Sequence, residues 1–326
     1  MNEAVAVRSD TFSTLRDSCA EVARRARWVR IDDGALESFA THLSNRRPSP
    51  PGSDPAHASL GDVRSTVAFV LTLDAVNFGS GWFPHLTKRP GMSGYLSLAT
   101  SLREHFEANG PWTVHQLRSL RAEDCARVFG QRLDSPAGEL MALFARALSD
   151  LGGFLHDGYR GRFAGPVEEA RHSAARLVEI LSRMPLYRDV ASYQEMEIPF
   201  YKRGQITCAD LAGALRGSGL GRFDDLDDLT LFADNLVPHV LRMLGILVYE
   251  IRLAARIDGE KPISSGSEEE VEIRAVALHA VERLARSCAG RGWPASPHRL
   301  DALLWARGQH PKIKASPRHR TRCTFY

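Results

Sequence analysis

The chain has 326 residues, long enough for one large domain or two modest ones with a real apolar core. Hydrophobic residues make up 44% and charged residues 25%, ordinary for a globular protein in water and outside the fibrous and disordered classes. A net charge of +3 singles out no polyanion as partner.

The excess base gathers late, at Lys312, Lys314, Arg318, Arg320 and Arg322. Such a tail either binds phosphate or is solvated, and we read it as solvated. Five cysteines at 19, 125, 208, 288 and 323 show no metal-ligand spacing and imply idle thiols in a reducing compartment. The start, MNEAVAVRSD, has no apolar leader, and no later uncharged run reaches spanning length. A cytoplasmic protein without a membrane span is expected.

In chain order, residues 11–27 carry Leu15, Cys19, Val22 and Ala23 on one helical stripe. Trp28 to Ile31 is a short extended piece. Asp32 or Asp33 then caps a helix with Leu36, Phe39, Ala40 and Leu43. The proline-rich stretch from Arg46 to His57 reads as a loop. His57 at its end is either an exposed loop residue or part of a site. Residues 63–78 predict a helix whose apolar face includes Asp74, costly there unless paired or functional. Asn77, Phe78, Trp82 and Phe83 cluster around Gly79 and Gly81, as a core corner or as a platform for a planar ligand.

A helix opens at Gly94, two short ones occupy 113–130, and amphipathic helices cover 137–151 and 166–184. Met196 to Tyr201 is a possible extended piece, and residues from Tyr201 lead into a helix through Leu215. Asp224, Asp225, Asp227 and Asp228 lack the glycine and closing glutamate of a calcium loop and read as surface charge. Ser267 with Glu270 predicts a capping box before a long helix through Cys288, with Glu272 and Arg274 off its apolar stripe. A last helix holds Leu300, Leu303 and Leu304, with Asp301 and Trp305 one turn apart.

The stretch Leu229 to Leu247 organises the rest. Val237, Val240, Leu241, Leu244 and Val248 recur at helical spacing, and Asp234 stands where an N-cap would stand. Asp234 is therefore either a cap or a carboxylate that stabilises positive charge in a pocket. No strand-rich region, fixed-period repeat, GxGxxG, P-loop, GxSxG or HExxH occurs. The expectation is an all-α fold with residues 1–326 as a single globular helical domain.

Several short motifs then align in order: Ile31-Asp-Asp-Gly34, Leu73-Asp-Ala-Val-Asn-Phe78, Ser93-Gly-Tyr-Leu-Ser-Leu98, Phe200-Tyr-Lys-Arg-Gly-Gln-Ile206, Phe232-Ala-Asp234 with Pro238, Glu270-Val-Glu-Ile-Arg274 and His319-Arg-Thr-Arg-Cys323. With these the chain resembles the queuosine salvage family, helical proteins that release queuine from queuosine 5′-monophosphate. The resemblance implies a fold like that of helical DNA glycosylases, and N-glycosidic chemistry without DNA binding. It places the catalytic carboxylate at Asp234, a base-packing aromatic at Phe232 with Ala233 beside it, and a base-binding aspartate at Asp301. His57 matches a pocket-closing histidine, in a loop of different length. Two departures stand out. Trp305 is followed by Ala306 and Arg307 instead of Asp-Tyr, and Asp234 by Asn-Leu instead of Tyr-Arg.

In that chemistry positive charge builds on C1′ and O4′ of the ribose, and a carboxylate stabilises it or attacks C1′. The 7-deazaguanine base has no N7 to protonate, so Asp301 or His57 must act on its guanine-like edge. Asp74, with Asn77 near it, is either a partner for the cationic aminomethyl group or a core pair. Lys202 and Arg203 either hold the 5′-phosphate at a helix mouth or pair with Asp224–Asp228 on the surface. The expected ligands are queuosine 5′-monophosphate and queuosine, with no cofactor or metal, in a monomer. The rival readings are a helical nucleic-acid glycosylase or binding module, and a queuine-binding protein without activity.

Overall fold

A computed structural model describes residues 11–49 and 59–326. Fifteen helices dominate them. They are α1 (Thr11–Arg25), α2 (Asp33–Arg46), α3 (Val63–Ala75), α4 (Gly94–Asn109), α5 (Val114–Ser119), α6 (Ala122–Phe129), α7 (Pro136–Tyr159), α8 (Ala164–Ala170), α9 (Ala174–Leu181), α10 (Lys202–Ala214), α11 (Leu236–Met243), α12 (Ile251–Asp258), α13 (Glu268–Gly290), α14 (Pro297–Gly308) and α15 (Pro311–Lys314). Four short strands complete the set: β1 (Val29–Ile31), β2 (Val190–Tyr193), β3 (Met196–Pro199) and β4 (Leu247–Tyr249). They pair antiparallel as β1 with β4 and β2 with β3. The fold is predominantly helical, as expected.

Caps written in the sequence start many of the helices. Asp32, Asp62, Ser93, Thr113 and Ser173 each accept an amide N–H from the first turn. Ser267 caps α13, but the reciprocal half of the predicted capping box is missing. Glu270 reaches instead to the Gly266 amide at 3.1 Å and takes the Tyr326 hydroxyl at 2.8 Å.

Two further expectations need correction. The helix predicted over 166–184 is two helices. Arg171 and His172 take left-handed φ values of 49° and 64° between α8 and α9, and Asp225 caps α9 through the Ala174 and Ala175 amides. The apolar helix after Asp234 is short. Gly245, with φ 74°, turns the chain after α11, and Val248 lies on β4 opposite Arg30.

The core divides into two apolar clusters. One is built mainly from α3 through α10, around Phe69, Leu140, Phe144 and Leu177. The other joins α1, α2, α11, α13 and α14, around Leu15, Val240, Leu278 and Leu300. The segment from Leu229 to Ala233 crosses between them. Leu229 and Phe232 pack in the first cluster, Leu231 and Ala233 in the second. From Leu231 to Ala233 successive side chains alternate between the two clusters, as in an extended segment. All five cysteines are buried and free.

Candidate active site

The crossing segment is held residue by residue. The Thr230 amide donates to Gln205 Oε1 at 2.9 Å, which ties it to α10. The Phe232 amide donates to Asp301 Oδ1 on α14 at 3.2 Å. The Ala233 carbonyl accepts Arg274 Nε from α13 at 3.0 Å. Asp234 Oδ1 then accepts the Leu236 and Val237 amides of α11 at 2.8 and 3.1 Å. Four helices thus fix four of the five residues from 230 to 234, a rigid mounting for a functional group.

Asp234 is half-buried, and both amide bonds fall on Oδ1. Among the described residues no protein donor meets Oδ2. The carboxylate therefore caps a helix with one oxygen and leaves the other available. Asp301 is buried at 6% exposure. Burial, and then the charge of Asp234, push its carboxyl well above the usual carboxylate range. A buried acid with a raised pKa near a second carboxylate is the pattern that separates acid and base roles.

Lys202 is the third charged group here. Its Nζ donates to the carbonyl oxygen and to Oδ1 of Asn77, both at 3.1 Å. Asn77 Nδ2 in turn donates to Asp74 Oδ1 at 3.3 Å. Burial lowers the Lys202 pKa, while Asp234 and Asp74 oppose that shift. Hydrogen bonds thus link Lys202, Asn77 and Asp74, mutual charge effects link Lys202 and Asp301 to Asp234, and Phe232 joins through its amide bond to Asp301, with Ala233 next in the chain.

Arg203 follows Lys202 on α10, and its Nε and Nη2 are buried with no hydrogen-bond partner among the described residues. Its guanidinium lies 4.8 Å from the Phe78 ring and 4.6 Å from the Tyr187 ring, and one terminal nitrogen donates to the Ala75 carbonyl at 2.6 Å. Pairing of Lys202 and Arg203 with the Asp224–Asp228 cluster is ruled out. Both cations are buried, whereas Asp224 binds Arg222, Asp225 caps α9 and Asp227 meets Ser296. His57 lies outside the described residues.

The sequence reading missed the support beneath the site. Arg274 forks onto Asp189 at 3.0 and 2.6 Å and stacks on Phe200 at 3.9 Å and Tyr326 at 4.6 Å. Burial works against its charge, but Asp189 and Glu270 together raise its pKa further. Asp189 also accepts the Lys202 amide at 3.2 Å. One ion pair thus positions both the loop before Asp234 and the start of α10. Trp305, one turn beyond Asp301, meets the edge of Tyr95 at 6.4 Å. The alternation of Glu270, Glu272 and Arg274 with Val271 and Ile273 at the start of α13 was the signal available.

Comparison with known proteins now adds the family. The model described as queuosine salvage protein matches residues 56–326.

The chain belongs to the queuosine salvage family.

The queuosine 5′-phosphate N-glycosylase/hydrolase of Sphaerobacter thermophilus is 39% identical over 311 residues, covering 94% of this chain and 95% of that protein. The protein of the same name from Dictyostelium discoideum is 33% identical over 264 residues, 80% of this chain and 78% of its own. That from Bos taurus is 29% identical over 343 residues, 97% of this chain and all of its own. The family match begins after Ile31–Gly34, so that motif lies outside it.

Among the described residues, no group of three or more His, Cys, Asp or Glu side chains is placed to hold a metal ion. No helix there is long and apolar enough to cross a membrane. A groove of 1830 Å³ elsewhere, between α1 and the α7–α9 region, mixes arginines and carboxylates that pair with each other, as Arg162 does with Glu168 and Arg176 with Glu169. It offers no single-sign surface to a polyanion.

Proposed function

We propose that this queuosine salvage protein hydrolyses the N-glycosidic bond of queuosine 5′-monophosphate, releasing queuine and ribose 5-phosphate. The observation that carries the reading is Asp234, half-buried with one oxygen capped and the other available, near a buried Asp301 whose pKa burial and the Asp234 charge raise. The printed names of its relatives support the same substrate.

The steps follow from the chemistry of the bond. As C1′–N9 breaks, its electron pair leaves with the base and positive charge spreads over C1′ and O4′. Asp234 Oδ2 stabilises that charge in a site partly shielded from water. Protonated Asp301 donates toward the base edge, which offsets the negative charge of the departing ring. Water then adds to C1′ and its proton passes to Asp234. Phe232, with Ala233 beside it, packs on the base face. Lys202 and Asn77 hold the polar wall, and Asp74 acts through Asn77. His57 remains assigned to closing the pocket.

The two apolar clusters form one domain in this reading, because α10 and α14 must jointly build the site. The protein acts as a cytoplasmic monomer on a free nucleotide and does not bind nucleic acid directly. Incubation with queuosine 5′-monophosphate, followed by chromatography, tests the function. Queuine and ribose 5-phosphate in equal amounts are expected. Queuine that is bound while the nucleotide stays intact would make the protein a binder instead.

A further inference from the structure

The proposed chemistry uses groups from distant parts of the chain. Lys202 and Asn77 hold one wall of the site, and Asp234 follows the Ala233 carbonyl on another. Stabilising charge at C1′ requires that the spacing between them be kept.

One buried residue touches the supports of both. Tyr326 is 2% exposed. Its main-chain oxygen accepts the Gly79 amide at 2.9 Å and the Ser80 amide at 3.4 Å. Gly79 stands two residues beyond Asn77 with a left-handed φ of 95°, and a Cβ there would collide with Leu140. The corner after Asn77 is therefore fixed in shape, and Tyr326 holds it.

The phenol of Tyr326 reaches the other way. Its hydroxyl donates to Glu270 Oε1 at 2.8 Å. Burial, and then the charge of Glu270, raise the phenol pKa well above its usual value, so the hydroxyl stays a donor. The Arg274 guanidinium lies 4.6 Å from the Tyr326 ring and 3.9 Å from the Phe200 ring. Its terminal nitrogens fork onto Asp189, and Nε donates to the Ala233 carbonyl at 3.0 Å. The rings and the fork together fix the guanidinium plane, and that plane aims Nε at the residue before Asp234. The chain leading to Tyr326 is anchored on both apolar clusters. Arg322 pairs with Glu139 of α7 at 3.2 Å, and the Arg320 carbonyl accepts the Ile263 amide at 2.9 Å.

We propose that Tyr326 is a positioning residue for the glycosidic cleavage: its main-chain oxygen holds the Asn77 corner, its phenol holds Glu270 and Arg274, and together they set the spacing between Lys202–Asn77 and Asp234. The proposal rests on the function proposed above. Tyr326 does not touch the reacting atoms; it acts through Gly79 and Arg274.

Tyr326→Leu removes the ring and the hydroxyl, and Tyr326→Phe removes the hydroxyl alone. Each is measured for single-turnover queuine release, calorimetric queuine binding, melting temperature, and hydrogen exchange of the Leu236 and Val237 amides that Asp234 caps. We expect the rate to fall about tenfold or more in Tyr326→Leu and about threefold in Tyr326→Phe, the weight of a lost cation–π contact and a lost hydrogen bond. Queuine affinity should stay within about threefold of wild type, and the two amides should exchange faster in the same order. Tyr326→Phe decides alone should Tyr326→Leu not fold. A lower melting temperature with the rate per folded molecule and both amides unchanged would make Tyr326 structural only and overturn the proposal. A wild-type protein that releases no queuine would overturn the function instead, and exchange at Leu236 and Val237 would still decide whether Tyr326 positions Asp234.

Discussion

At position 234 the side chain is a helix cap, and the same side chain carries the reactive role proposed above. The sequence offered these as alternatives, and they are compatible because the α11 amides use only one oxygen. Spacing cannot divide a carboxylate between its two oxygens, so this was not legible beforehand. Asp301 was legible as a position through family resemblance, but not as an acid whose pKa is raised. That depends on burial and on Asp234, which come from distant parts of the chain. Its folded pKa lies above the unfolded value, so the folded state holds the proton more tightly. That contribution to stability is present at low pH and is lost as pH rises through the folded value. Activity should fall over the same window if the proton is needed. Asp301→Asn keeps a donor that does not titrate, so its pH–rate profile should lose that alkaline fall, and Asp301→Ala should be slower at every pH. An unchanged alkaline limb in Asp301→Asn would remove Asp301 from proton donation.

At the scale of elements, helix periodicity predicted most spans, and its failures have causes. The break between α8 and α9 carries no proline or glycine; Asp225, far along the chain, stabilises the new helix start. The charged residues of α13 sit off the apolar stripe in sequence and inside the protein in space. Arg274 is 1% exposed and Glu272 is fully buried, accepting the Arg27, Trp28 and Val29 amides. Periodicity treats charge as solvent-facing, and a satisfied buried ion pair breaks that rule. Arg274→Ala leaves Asp189 buried without its partner, and we expect a loss of about 3–5 kcal/mol in denaturant unfolding. The tail is equally exacting. A Cβ on Gly81 would stand 2.3 Å from the Thr321 carbonyl oxygen, so Gly81→Ala must displace the tail. A cost of about 1–3 kcal/mol is expected, read as a lower melting temperature.

At the scale of the whole molecule, composition had little to say about partners. Many surface arginines among the described residues are paired with carboxylates, as Arg162 is with Glu168 and Arg183 with Glu169. Binding of duplex DNA or tRNA should therefore be weak at physiological salt, which a fluorescence titration can check. Two apolar clusters share the crossing segment, so queuine or ribose 5-phosphate bound between them should raise the melting temperature of one cooperative transition. Two separate transitions, with only one shifted, would divide the chain into independent units.

The most direct measurement is single-turnover release of queuine from queuosine 5′-monophosphate by Asp234→Asn, beside a circular dichroism spectrum of the same sample. Asparagine can still accept the α11 amides, so the helical spectrum should be kept while the rate drops roughly a hundredfold or more. A folded variant that releases queuine as fast as the wild type would contradict the account.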